Sequence, residues 1–276
     1  RYSGANLPDG AVLDEASGQF VWTPDREGTY RFIIEASDST AISVKQVTVI
    51  VAQDRASALQ SVTALHDPEQ QYERESLEAY LDRLAETNDL LDQGSDEAFV
   101  EQLGRLQTAA KGLRLLTPLL EDGSMDYTTI VTSTFGDSIS LLTDNNDNTF
   151  PVYSLAPDLY HIVDFGPDYK VSAQAFGFEG RMNFDDRMAG IAVFASNDGV
   201  NWTRITPGET EYTSEMSVIE VAEPFNQQQY RLFKIHMINP HPDALRGQIL
   251  NLLELSEFRI WGQRHEVLNK LDSVSI

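Results

Sequence analysis

The chain has 276 residues, of which 41% are hydrophobic, and carries no cysteine and a formal net charge of −23. Such a length gives about two domains with real cores. The charge disfavours DNA, RNA and anionic membranes as partners, because their phosphates attract Lys and Arg. The missing cysteines exclude a disulfide scaffold and any thiolate zinc site.

No apolar run approaches the roughly 18–20 residues of a membrane span, and no signal-peptide pattern opens the chain. Arg1 is not a natural start, so we expect a trimmed N-terminus. The acidity reads first as a solvated surface, and assigning carboxylates to a cation needs a specific loop.

Residues 19–22 (QFVW), 29–35 (TYRFIIE) and 43–51 (SVKQVTVIV) alternate apolar and polar positions, the period of half-buried strands. Pro8-Asp9-Gly10, Ser17-Gly18, Thr23-Pro24 and Glu27-Gly28 supply turns between them. The run NLPDGAVLDEASGQFVWTP, followed by EGTYRFIIEASD, resembles the bacterial putative-Ig repeat from Tyr2 to Val51. The resemblance implies the second half of an Ig-like β-sandwich, used as a spacer or cohesion module. Trp22 and Tyr30 are expected in its core.

After Gln53 the period changes. Residues 55–65 carry apolar side chains at helical spacing. Leu77, Tyr80, Leu81, Leu84, Leu90 and Leu91 line one face of a second helix over 74–91, ended by Gly94. Ser95 or Asp96 caps a third helix, with Phe99, Leu103, Leu106, Ala110 and Leu113 on one face and Pro118 as its stop. A small antiparallel three-helix bundle follows. His66, in the first link, is expected at the surface.

From Asp126 the strand pattern returns, at 159–165, 171–178, 190–196, 230–237 and 257–262. Many short strands with turn clusters imply a sandwich or jelly roll. Four segments in order resemble the discoidin, or coagulation-factor type C, domains, a group that includes family 32 carbohydrate-binding modules. They are LLTDNNDNTF (141–150), IVDFGP (162–167), VFASNDGVNWTRI (193–205) and LSEFRIWG (255–262). The resemblance spans 126–262 and implies a galactose-binding-like β-sandwich. Trp202 is expected to pack under the sandwich.

The same resemblance implies a structural calcium ion, with Asp144, Asn146 and Thr149 in the first segment and Glu257 in the last as its residues. Calcium takes oxygens from carboxylates, amides and carbonyls, and T-D-N-N-D-N-T concentrates them. Asn145 stands where the family has Gly, and tolerates left-handed backbone better than most residues. Asn146 replaces Asp, which removes one negative charge; an Asx-rich turn without metal is the alternative.

Family members hold sugar on loops at one end of the sandwich. Those loops place Arg181 and Arg246 first, then His241 and Tyr153, with Asn183 and Arg187 beside them. Arginine forks suit paired hydroxyls or the carboxylate of an acidic polysaccharide. Alternatively, each arginine pairs with a neighbouring carboxylate.

The fold expected is mainly β and multidomain: 1–53 part of an Ig-like repeat, 54–120 a helical spacer, 121–264 the discoidin-like sandwich and 265–276 a linker to a further module. The function expected is a non-catalytic carbohydrate-binding region of a secreted or cell-surface bacterial protein, whose other modules include a glycoside hydrolase or polysaccharide lyase. A surface adhesion or spacer module without sugar specificity is the alternative. No Ser/His/Asp elbow and no HExxH marks catalysis in these residues, and neither nucleic acid nor membrane insertion is expected.

Overall fold

A computed structural model describes residues 1–38, 40–151, 159–242 and 253–267. The chain divides into two units, Arg1–Leu115 and Leu116–Ile276.

In the first unit the alternating runs become strands β1 (Tyr2–Ala5), β2 (Val12–Leu13), β3 (Phe20–Val21), β4 (Gly28–Ser37) and β5 (Ile42–Val51). They form an antiparallel sheet ordered β1-β4-β5 and a separate β2-β3 ribbon. Asp14 makes the turn before β3 by accepting from the backbone N–H groups of Ala16 and Ser17 at 3.0 and 2.7 Å. The ribbon lays Phe20 on Phe32, with ring centroids 4.9 Å apart. Phe32, at 2% exposure, is the one buried residue among those described up to Gln53. Trp22 and Tyr30 therefore stop short of the expected core. They are half-buried and pack edge to face at 4.6 Å.

Helices α1 (Arg55–Thr63), α2 (Arg74–Asn88) and α3 (Asp96–Lys111) follow. Asp54 and Ser57 close a reciprocal capping box on α1, and Ser95 caps α3. Helix α3 ends at Gly112, before Pro118. Leu59, Val62, Tyr80, Leu106 and Ala110 form the core, and Ile50 of β5 packs on it. Helices and sheet are thus joined through one apolar cluster. His66 is half-buried between the rings of Tyr72 and Tyr80, at 5.3 and 5.0 Å, rather than at the surface.

The second unit is a β-sandwich. Its strands are β6 (Thr132–Ser133), β7 (Tyr160–Asp164), β8 (Tyr169–Glu179), β9 (Ile191–Ser196), β10 (Thr203–Arg204), β11 (Ser217–Glu220), β12 (Leu232–Met237) and β13 (Glu257–Glu266). One sheet runs β10-β9-β12-β7-β6 and the other β11-β8-β13, with every pairing antiparallel. Period-two alternation sends Val163, Val193, Phe233 and Ile235 inward from the first sheet to meet Phe176, Phe178, Phe258 and Ile260 from the second. Each of those eight side chains is fully buried, and together they supply on the order of 10–20 kcal/mol of gross apolar stabilisation.

The closing strand β13 pairs with β8 along its whole length, with a bulge between Trp261 and Gly262. A Cβ on Gly262 would lie 2.4 Å from the Ser172 carbonyl oxygen, so the bulge requires glycine there.

Trp202 corrects an expectation. It precedes the edge strand β10, lies outside the core and is half-buried, with Lys234 Nζ 4.5 Å from its ring centroid.

Candidate functional site

The loop after the 3-10 turn Gly136–Leu142 is built by its own Asx side chains. Asp144 accepts from the Asn146 N–H at 3.1 Å, and its two oxygens take the Thr149 hydroxyl at 2.9 and 2.7 Å. That hydroxyl also lies 2.8 Å from the Asn146 carbonyl oxygen. Asn145 adopts φ +57, the left-handed geometry expected of a glycine substitute. The Asn146 N–H also donates to Glu257 Oε1 at 2.8 Å. Asp144, Asn146, Thr149 and Glu257, 111 residues apart at the extremes of this contact, are therefore brought to one place.

A buried arginine stands beneath them. Arg259, 1% exposed, donates to Glu257 Oε2 at 2.6 Å, to the Leu142 carbonyl at 2.7 Å, to Asn145 Oδ1 at 2.7 Å and to Asp122 at 3.0 Å. Burial raises the pKa of Glu257, and Asp144 adds to the rise against the pull of Asn146 and Arg259. Burial likewise raises Glu179, with Glu257 and Asp147 contributing. In both groups burial is the leading cause, and the neighbouring carboxylates add to it.

The oxygen set suits a hard cation. Among the described residues no three His, Asp or Glu side chains converge on one point. Asp144 of the loop and Glu257 of β13 instead offer two carboxylates, beside the Thr149 hydroxyl and main-chain carbonyls of the loop, a mixture of the kind calcium accepts.

The second candidate loop joins the first through the Met182 N–H, which donates to the Asp147 carbonyl at 2.9 Å. Here Arg181 and Arg187 share one carboxylate. Glu254, with its side chain 1% exposed, pairs with Arg181 at 3.3 Å and with Arg187. Arg187 lies over the Phe184 ring at 3.8 Å, and Arg181 lies between Phe150 at 4.1 Å and Phe184 at 5.1 Å. Asn183 sits at the exposed tip with φ +67.

His241 stacks on Tyr212 at 4.6 Å, and Tyr212 is 57% exposed. Tyr153 and Arg246 lie outside the described residues.

Glu254, Phe150 and Tyr212 were not singled out by the sequence reading. A single carboxylate inside the apolar run LLEL is the signal for Glu254, since a charge there needs a buried partner. Phe150 closes the segment 141–150 that carries the family resemblance, and Tyr212 carries no comparable signal.

Comparison with known proteins bears on the N-terminal segment first. Residues 1–52 match the family model described as "Putative Ig domain". No curated protein matches the chain. Among solved structures, matches fall on the C-terminal half. The family 32 module of Clostridium perfringens NanJ, in complex with galactose, is 15% identical, covers 50% of this chain and 96% of its own, and has a TM-score of 0.35. The module CBM32-1 from a C. perfringens family 31 glycoside hydrolase is 21% identical over 47% and 92%, with a TM-score of 0.34. A Streptococcus pneumoniae fucose binding module is 14% identical over 51% and 97%, with a TM-score of 0.34.

Proposed function

We propose that the sandwich is a non-catalytic carbohydrate-binding module of a larger secreted bacterial polysaccharide-degrading protein, with residues 1–52 as an Ig-like spacer. The observation that carries this reading is the Arg181–Glu254–Arg187 cluster. Two guanidinium groups held by one buried carboxylate keep one positive charge uncompensated by Glu254. Stacking on Phe150 and Phe184 fixes their planes. Among the described residues each guanidinium reaches Glu254 through one nitrogen, which leaves further N–H donors for sugar hydroxyls or a sugar carboxylate, beside aromatic rings that suit C–H faces. Asn183 and the His241–Tyr212 stack are the further polar and aromatic contacts we assign, with Arg246 and Tyr153 as candidates outside the described residues.

We assign a structural calcium ion to Asp144, Asn146, Thr149 and Glu257. Calcium would supply positive charge to crowded oxygens and pin the first loop to β13.

Affinity electrophoresis in gels of neutral and acidic polysaccharides tests the binding reading. Retarded migration on at least one polysaccharide, lost in Arg181→Ala and Arg187→Ala, is the expected result. Unretarded migration on every polysaccharide would reject it in favour of the spacer.

A further inference from the structure

Strand β5 is an edge of its sheet. Among the described residues it pairs with β4 alone, and without a register shift. Ser37 of β4 turns its main-chain groups to the far side. Its N–H donates to the Arg1 carbonyl at 2.8 Å, and its carbonyl accepts from Arg1 N at 2.7 Å. Its cross-strand neighbour Ile42 therefore belongs to a pair without mutual hydrogen bonds. Alternation then points the N–H and C=O groups of Ile42, Val44, Gln46, Thr48 and Ile50 away from β4. Among the described residues, no other strand takes them up. Native edges are usually guarded by charges, prolines or bulges, and β5 has Lys45 alone.

The side chains of the same five residues share one face, and its two ends differ. At one end Ile42 and Val44 are 69% and 61% exposed. At the other, Thr48 and Ile50 line a groove of about 570 Å³ with Phe99, Val100 and Leu103 of α3, where Val100 is also exposed. Charge sets the strand apart as well. Residues 41–53 hold one lysine and no acidic residue in a chain of net charge −23, so the edge itself brings no negative charge to a second copy.

We propose that β5 is a homodimer interface: two copies of the chain pair their β5 strands antiparallel about a two-fold axis at Gln46, joining their two sheets into one. This register engages all five outward residues. Gln46 meets Gln46 of the second copy, Val44 meets its Thr48 and Ile42 meets its Ile50. The exposed pair Ile42 and Val44 of each copy thus enters the α3 groove of the other, which is the self-complementarity that a two-fold interface demands. Lys45 falls opposite Val47 of the second copy. A register centred one residue earlier would set Lys45 against Lys45, where like charges repel. The inference uses nothing of the sugar reading. A dimer doubles the sandwiches per particle and so adds multivalency to whatever the sandwich binds.

Sedimentation equilibrium of the full chain at up to about 100 μM, in salt that screens its net charge, is the first test. We expect a concentration-dependent mass that approaches twice that of the monomer. Gln46→Pro removes the central outward N–H while leaving the β4 pairing intact, and should return the chain to monomer. Val44→Lys brings a lysine to Thr48 of the second copy, whose hydroxyl already has Lys111 Nζ at 3.2 Å, and should weaken dimerisation about tenfold. The chain has no cysteine, so single cysteines report the register. Under mild oxidation Gln46→Cys should link two copies. Ser43→Cys, about 20 Å from its counterpart in this register, should not. Circular dichroism and thermal melts establish that each variant is folded; if Gln46→Pro is not, Val44→Lys and the cysteine pair decide. A monomer at every concentration overturns the proposal, as does a dimer that Val44→Lys and Gln46→Pro leave unchanged. Cross-linking of Ser43→Cys as readily as of Gln46→Cys overturns the register on which it stands.

Discussion

Arg259 and Glu257 form an ion pair at 2.6 Å in which both side chains are 2% exposed. A buried pair gives little net stability over a well-packed apolar pair, yet breaking it is costly, because the surviving charge is stranded. Arg259 also ties three carbonyl or carboxylate groups outside its own strand: Leu142, Asn145 and Asp122. Arg259→Met should therefore cost the sandwich about 3–5 kcal/mol. That corresponds to a fall of roughly 10 °C in its melting midpoint by calorimetry. The double variant Arg259→Met/Glu257→Gln should recover part of the loss. A double variant no better than the single one would reject the stranded-charge account.

Calcium binding predicts a separate stabilisation. A ligand that binds only the folded state at a hundredfold excess over its Kd adds about 2.7 kcal/mol. The midpoint of the sandwich should rise between EDTA and millimolar calcium, and Asp144→Asn should abolish the rise. That variant removes a charge from the group that holds both Asn146 and Thr149. Identical midpoints in EDTA and calcium, together with no metal by elemental analysis, would exclude the ion.

The strands of the sandwich were legible because their alternation is clean: HIVDF, AVFAS and RLFKIHM each put one apolar set inward. The loop residues Asp144, Asn146, Thr149 and Glu257 were legible as a motif, and the fold does bring them together. Arg259 was not legible. In β13 it falls on the face opposite Phe258 and Ile260, which alternation reads as solvent. That face is covered instead by Asp122 and the Leu142 end of the 3-10 turn, elements more than a hundred residues away in sequence. Trp202 misled for the converse reason. Large aromatics favour cores, but a residue entering an edge strand can lie on either side of the sheet. Only the β9–β10 register decides which side that is.

His161 makes stability depend on pH. It is 4% exposed, hydrogen-bonds the Thr134 hydroxyl at 3.1 Å and stacks on Phe135 at 3.9 Å. Burial lowers its pKa from 6.5 to about 4. Between those values the unfolded chain binds a proton that the folded chain refuses, so stability falls as pH drops from 6.5 toward 4. The loss approaches about 1.4 kcal/mol per pH unit within the window. Denaturant unfolding of wild type and His161→Gln should give a stability difference that is constant above pH 7. It should narrow below pH 6, as the carboxylates common to both cancel. A difference independent of pH from 8 to 4 would remove His161 from this role.

Gly190 offers the sharpest steric test. It has φ +80, and its carbonyl accepts from both the Ile238 and Asn239 N–H groups at 2.9 and 3.1 Å. A Cβ there would sit 1.8 Å from the Asn239 carbonyl oxygen, a backbone atom that cannot swing aside. Gly190 leads directly into β9, whose Ile191 pairs with Met237 of β12, so displacing Asn239 pulls on the central strands of the larger sheet. Gly190→Ala should therefore cost more than the usual ~1 kcal/mol of a left-handed alanine. We expect more than about 3 kcal/mol, the range of strained or overpacked core substitutions. Gly199→Ala is the control, since it has φ +73 but nothing within 4 Å of its added Cβ. It should lose only the backbone term, and equal losses for the two variants in chemical denaturation would mean that the close approach of Asn239 contributes nothing.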